Sequence, residues 1–99
     1  SRIDRQIKIN GYRLELSSVE AALRDAGAAA ASVVFHREQL VAFAESNDST
    51  LRAEDLLMKI ANQLPAYAVP RDIRLVDHLP RNANDKIDAG ALMSQLEEE

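Results

Sequence analysis

An α+β domain is the fold class this sequence predicts: an N-terminal β-hairpin, then a three-stranded sheet packed by helices. Three observations carry that prediction. Apolar residues alternate on both sides of an Asn-Gly pair near the start of the chain. Three later segments of strand length are rich in Val, Ile, Leu and Phe. Between them lie segments whose apolar residues repeat at helical spacing instead. The order is hairpin, helix, two strands, helix, strand, helix, the pattern of a small α+β domain.

Each element has its own justification. In QIKI-NG-YRLEL the apolar positions are Ile7, Ile9, Tyr12, Leu14 and Leu16, and Asn10 and Gly11 separate the two runs. Asn-Gly is the preferred pair for a two-residue type I′ turn. Ser17 and Glu20 have the spacing of a capping box, which predicts a helix start there. Val19, Ala22, Leu23 and Ala26 then line one helical face, and Gly27 is placed as its stop. A strand follows over 31–36, a short turn over 37–39, and a second strand over 40–45. The segment SNDST is a loop, with Thr50 as the expected cap of the next helix. Leu56, Leu57, Ile60, Ala61 and Leu64 repeat at helical spacing until Pro65 ends the run. LPAYAVP is a proline-bounded connector, and residues 71–76 read as the third strand. Asp88 caps a final helix carrying Ala91, Leu92 and Leu96. Met58 and Met93 read as packing residues.

Composition narrows the function. With 99 residues the chain suffices for one small domain. Its net charge of −4 and four aromatic side chains argue against a nucleic-acid binder. It has no Cys, which removes disulfides, thiolate metal sites and Cys nucleophiles. No apolar run approaches a membrane span of about 20 residues, so no membrane partner is expected and a cytoplasmic location is the default. SRIDRQIKI reads as structure from its first residues, as expected of a piece of a longer chain. QLEEE reads as a terminus that should fray, because carboxylates oppose the dipole at a helix end.

Few side chains remain to carry chemistry. Lys8 faces Arg13 across the predicted hairpin, and like charges directly opposite are unfavourable. Either Glu15, diagonal to Lys8, neutralises the pair, or an anion such as phosphate does. Lys86 stands before a helix cap, in the loop LPRNANDKID. A lysine there is ordinarily solvated and silent. A mobile loop that delivers one ammonium is also a way to stabilise developing negative charge. His36 and His78 make no metal motif, and no metal is expected. Glu54 and Asp55 suit the first turn of a helix. AGAAAAS reads as a helix-to-strand connection. None of Gly11, Gly27 and Gly90 belongs to a phosphate-cradling loop, so the chain has no evident nucleotide pocket of its own.

Three segments together resemble a known family. SRIDRQIKINGYRLELSSVE is similar to the motif that opens the C-terminal subdomain of adenylate-forming enzymes, a superfamily of acyl-CoA synthetases, luciferases and adenylation domains of nonribosomal peptide synthetases. LPAYAVP resembles its second motif, with Ala68 where Met is common. LPRNANDKID resembles its last, usually ending Asn-Gly-Lys-Ile/Val-Asp. The resemblance covers nearly all of residues 1–99 and only the mobile C-terminal subdomain; the large N-terminal ATP- and acyl-binding domain is expected elsewhere.

The resemblance implies a two-step ligase. Lys86 is the catalytic cation of the first step, in which a carboxylate attacks the α-phosphate of ATP to give an acyl-adenylate and pyrophosphate. The subdomain then turns about a hinge at Asp4. Gly11 and Tyr12 come to line the tunnel for a pantetheine thiol, with Arg2, Arg13 and Lys8 near phosphates. ATP and Mg2+ are the implied cofactors, held mainly by the N-terminal domain. QIKINGYRLEL resembles amino-acid adenylation domains more than CoA ligases, so a phosphopantetheine thiol on an acyl or peptidyl carrier protein is the expected acceptor, with CoA as the alternative. The isolated chain should be inactive. A noncatalytic protein-interaction module is the rival class. Besides Ala68, three positions depart from the family pattern: Ser1 and Asp85 where Gly is usual, and Ala89 where Arg often stands.

Overall fold

In the computed structural model, which describes residues 6–9, 11–46 and 50–98, strands β1 (Gln6–Ile9) and β2 (Tyr12–Glu15) form the expected antiparallel hairpin. Ile9 faces Tyr12, Lys8 faces Arg13 and Ile7 faces Leu14. Gly11 has φ +84°, the left-handed geometry that glycine adopts without penalty. Leu14 is buried, and Ile7 and Ile9 pack against the core. The opposite hairpin face carries Gln6, Lys8, Arg13 and Glu15, all exposed.

Helix α1 (Leu16–Asp25) follows β2 without a loop. This overturns the expected capping box. Glu15 occupies the cap position without a side-chain capping bond, and Ser17 already lies inside the helix. Glu20 turns to the core instead, where its Oε2 accepts the Val33 N–H at 2.7 Å. It is only 7% exposed and shares the inward face with Val19 and Leu23. The far end is as expected. Gly27 has φ +132°. The amides of Gly27 and Ala28 donate to the carbonyls of Arg24 and Leu23, both at 3.1 Å, which makes a Schellman stop. Lys59 adds its ammonium to the Ala26 carbonyl at 3.2 Å, a cation at the negative end of the helix dipole.

Strands β3 (Ala30–His36) and β4 (Gln39–Glu45) pair antiparallel through a turn of two residues, Arg37 and Glu38. Both have positive φ, 51° and 63°, as a type I′ turn demands, and Gln39 belongs to the strand. Helix α2 (Ala53–Ala61) then leads to β5 (Asp72–Val76), which runs parallel to β4. The sheet order is β3-β4-β5. Thr50 is not the cap of α2: that position is Arg52, with no side-chain bond, and Glu54 and Asp55 fill the first turn. Met58 is not a packing residue either. It is 69% exposed, because it lies off the Leu56–Ile60 stripe that faces the sheet.

The central strand is buried on both faces, which explains its unbroken apolar run Leu40 to Ala44. On one side Val33, Leu40, Ala42 and Ala44 meet α1, α2 and the hairpin. On the other Val34, Val41 and Phe43 meet Leu79 and helix α3 (Ala89–Glu97), through Leu92 and Leu96. Asp88 caps α3 as expected, its Oδ1 accepting the Ala91 N–H at 3.1 Å. The helix runs to Glu97, inside the final acidic run. Among the described residues no helix is long and apolar enough to cross a membrane.

Candidate functional site

Lys86 sits on a turn closed by its own hydrogen bonds. Arg81 and Ile87 form an antiparallel bridge that brings the two arms together. Between them Asn82 organises the backbone. Its N–H donates to the Lys86 carbonyl at 2.8 Å, and its own carbonyl accepts from Asp85 N–H at 2.9 Å. Its side-chain Oδ1 accepts two more amides, Asn84 at 2.9 Å and Lys86 at 3.1 Å. Both backbone polar groups of Lys86 are therefore held, while its side chain points from an exposed position. The Asp88 N–H donates to the Pro80 carbonyl at 2.8 Å, so the returning arm runs straight into the cap of α3.

Asp85 has φ 62°, in the left-handed region. That explains why glycine suits this position and why Asp is an acceptable replacement: Asn and Asp visit this region more readily than other side chains. Its cost is a carboxylate next to the lysine.

The hairpin is the second candidate surface. Lys8 and Arg13 stand side by side over a hollow of about 230 Å3 lined also by Gln6 and Ile7. Among the described residues neither cation forms an ion pair, and the Glu15 carboxylate accepts instead from the Ser17 hydroxyl at 3.4 Å. Tyr12 is 56% exposed and stacks on Tyr67, with ring centroids 4.5 Å apart and planes 5° from parallel. Tyr67 belongs to LPAYAVP, in a single 3-10 turn at Ala66–Ala68. The stack thus joins the first sequence motif to the second, a contact that no spacing within the sequence reveals. Arg2 and Asp4, expected near phosphates and at the hinge, lie outside the described residues, as does Asn10.

The two surfaces do not converge. The hairpin packs on the α1–α2 side of the sheet through Ile7, Ile9 and Leu14. The lysine turn packs on the α3 side through Leu79 and Ile87. A further hollow of about 500 Å3 is lined by His36, Arg37, Arg71 and Arg74 among others. Two of its arginines are already engaged: Arg71 donates to Gln39, and Arg74 pairs with Asp72 at 3.2 Å while lying 6.0 Å from the Phe43 ring centre. His36 and His78 join no metal cluster; among the described residues no three His, Asp or Glu side chains are grouped to hold a metal ion.

A hairpin, a proline-bounded connector and a lysine turn on this α+β scaffold define the C-terminal portion of adenylate-forming enzymes. The chain belongs to the AMP-binding enzyme C-terminal domain family, whose model matches residues 18–86. It is 40% identical over 96 residues to a mycosubtilin synthase protein of Bacillus subtilis, covering 92% of this chain and 4% of that protein. It is 36% identical over 96 residues to the nonribosomal peptide synthetase kk1B of Curvularia clavata, covering 88% of this chain and 1% of that protein. Among solved structures, the acyl-CoA synthetase of Brucella canis superposes with a TM-score of 0.83 at 30% identity, over 99% of this chain and 20% of that one. The chain therefore corresponds to a small fraction of each relative's length.

Proposed function

We propose that this chain is the mobile C-terminal subdomain of an AMP-forming ligase, and that it serves the two half-reactions with two different surfaces. In the first, Lys86 places its ammonium between the substrate carboxylate and the α-phosphate of ATP. Negative charge builds there as the carboxylate oxygen attacks phosphorus and pyrophosphate leaves. A preorganised cation at such a point is among the larger contributions an enzyme makes. In the second, the subdomain turns about Asp4 and presents the hairpin. Gly11, which has no side chain to obstruct, and Tyr12 then line the path of the thiol. Arg2, Lys8 and Arg13 lie near phosphate oxygens. ATP and Mg2+ are the proposed cofactors, and by the family resemblance a large N-terminal domain is their proposed main holder.

The observation that carries this reading is the placement of the two surfaces on opposite faces of one sheet. A single orientation does not present both to one active site, and a rotation does. The proposed acceptor is a phosphopantetheine thiol on a carrier protein, since two of the relatives above are a peptide synthetase and a mycosubtilin synthase. CoA is the second reading, favoured by the likeness to an acyl-CoA synthetase.

Lys86→Ala in the complete ligase tests the assignment. The barrier to pyrophosphate exchange should rise by at least about 3 kcal/mol, the scale of losing a preorganised charge stabiliser. Thioester formation from supplied acyl-adenylate should hold. Equal losses in both steps, or none, would remove Lys86 from its role.

A further inference from the structure

Glu45 ends strand β4, and neither proposed half-reaction uses it. Its side chain is only 16% exposed, yet it reaches the lysine turn at two points. Its Oε2 accepts the Leu79 N–H at 2.7 Å, where the turn's first arm begins. Its Oε1 lies 3.9 Å from the Arg81 guanidinium. That guanidinium in turn donates to the Asp85 carbonyl at 3.4 Å. Glu45, Arg81 and Asp85 thus form a brace that runs from the sheet, across the turn, to the residue before Lys86. The brace ends where backbone strain is stored, since Asp85 holds a φ of 62°. A residue other than glycine keeps such a conformation when its surroundings over-determine it. The Leu79 contact is the firmest link, a short, charge-assisted bond to a part-buried carboxylate.

We infer that Glu45 is a positioning residue for Lys86. It fixes the base of the turn to the sheet and, through Arg81, holds Asp85 in the left-handed conformation that aims the lysine. This rests on the reading of Lys86 as the cation of adenylate formation. In the complete ligase, Glu45→Ala should lower the kcat of pyrophosphate exchange about tenfold, as misplacement of a group by a remote change does. The KM for ATP and the transfer step from supplied acyl-adenylate should stay at the parent values. Glu45→Gln keeps an acceptor for Leu79 and loses only the charge opposite Arg81. Its expected loss is about threefold, the scale of a weak ion pair, and it serves where Glu45→Ala fails to fold. Two double variants separate positioning from general stability. Added to Lys86→Ala, the Glu45 change should cost nothing further in exchange. Added to Asp85→Gly, where the left-handed residue no longer needs bracing, it should cost less than in the parent. Equal loss in both half-reactions, a full additional loss on top of Lys86→Ala, an undiminished loss in Asp85→Gly, or unchanged exchange in both Glu45 variants overturns the inference. If Lys86→Ala itself leaves exchange intact, the reading of Lys86 falls and this inference with it. If Lys86→Ala is crippling and the Glu45 variants are silent, the inference alone fails.

Discussion

Replacing Asn82 by Ala should disable the lysine turn while sparing the domain. The Asn82 side chain accepts the amides of Asn84 and Lys86 at 2.9 and 3.1 Å. Each such bond is worth about 0.5–1.5 kcal/mol net, so the pair would be worth about 1–3 kcal/mol if both were buried. They are exposed, and water takes over the freed amides, which places the loss near the lower bound. That loss is local. Both side-chain bonds of Asn82 stay within residues 82–86, so global stability should change by about 1 kcal/mol at most. The turn itself should open more often. Deuterium uptake at residues 82–86 should rise, while the sheet stays protected. Adenylation should slow about tenfold, which equals about 1.4 kcal/mol on the barrier. Asn82→Asp keeps an acceptor in place and should retain most of the protection. The reasoning fails if Asn82→Ala leaves uptake and pyrophosphate exchange unchanged, or if Asn82→Asp behaves like Asn82→Ala.

Other consequences concern the hairpin and the scaffold. At Gly11 an added Cβ meets nothing within 4 Å among the described residues, so the expected cost of Gly11→Leu to the fold is mainly the strain of positive φ, roughly 1 kcal/mol. Thioester formation on the carrier should nonetheless drop about tenfold or more, with pyrophosphate exchange near the parent value and Gly11→Ala in between; an unchanged ratio of the two rates would reduce the hairpin to scaffold. Tyr67→Ala removes the stack on Tyr12, worth about 0.5–1.5 kcal/mol, and should slow thioester formation more than adenylation. Tyr67→Phe should restore the rate, and failure of that rescue would point to the hydroxyl rather than the stack. Changing Arg37 and Glu38 to Asn and Gly gives the β3–β4 turn residues that accept positive φ. Urea unfolding should show a stabilisation of about 1 kcal/mol or more, and a destabilised variant would mean that the turn depends on contacts of the arginine or the glutamate.

Local patterns made most of the architecture legible, and their failures share one cause. The hairpin register, the stop at Gly27 and the cap at Asp88 follow from residue types within a few positions of one another. Ser17 and Glu20 satisfied the same kind of local rule and broke it, because the chain enters α1 directly from β2 and the sheet offers Glu20 a backbone amide at Val33. Met58 shows that apolar character alone does not place a side chain inside; it lies off the stripe that faces the sheet. The motif around Lys86 marked the lysine but not what holds it. Asn82 read as one polar loop residue among several. The Glu45 contact spans 34 positions along the chain, and the Tyr12–Tyr67 stack joins two motifs that sequence order keeps apart. Side-chain-to-backbone bonds across such distances leave no periodicity to read. The Asn82, Asn84 and Asp85 cluster could have pointed to Asn82, since Asn readily accepts the amide two residues on.

On the proposed reading, the arrangement also explains why one small body serves two chemical steps. Adenylate formation needs a cation at the α-phosphate while charge accumulates there. Thioester formation needs the same space open to a thiol. A flexible loop bearing Lys86 would meet the second need by drifting away, but it would meet the first poorly, since misplacement by about an ångström costs up to about 10²-fold. The turn observed here is hydrogen-bonded within itself, tied to the sheet through Glu45 and continuous with the cap of α3. Its precision comes from being part of the folded body, and its withdrawal must then come from moving that body. The hairpin follows from the same logic. It is fixed to the opposite face of the sheet by Ile7, Ile9 and Leu14 and stiffened by the Tyr12–Tyr67 stack, so the motion that removes the lysine is the motion that delivers Gly11.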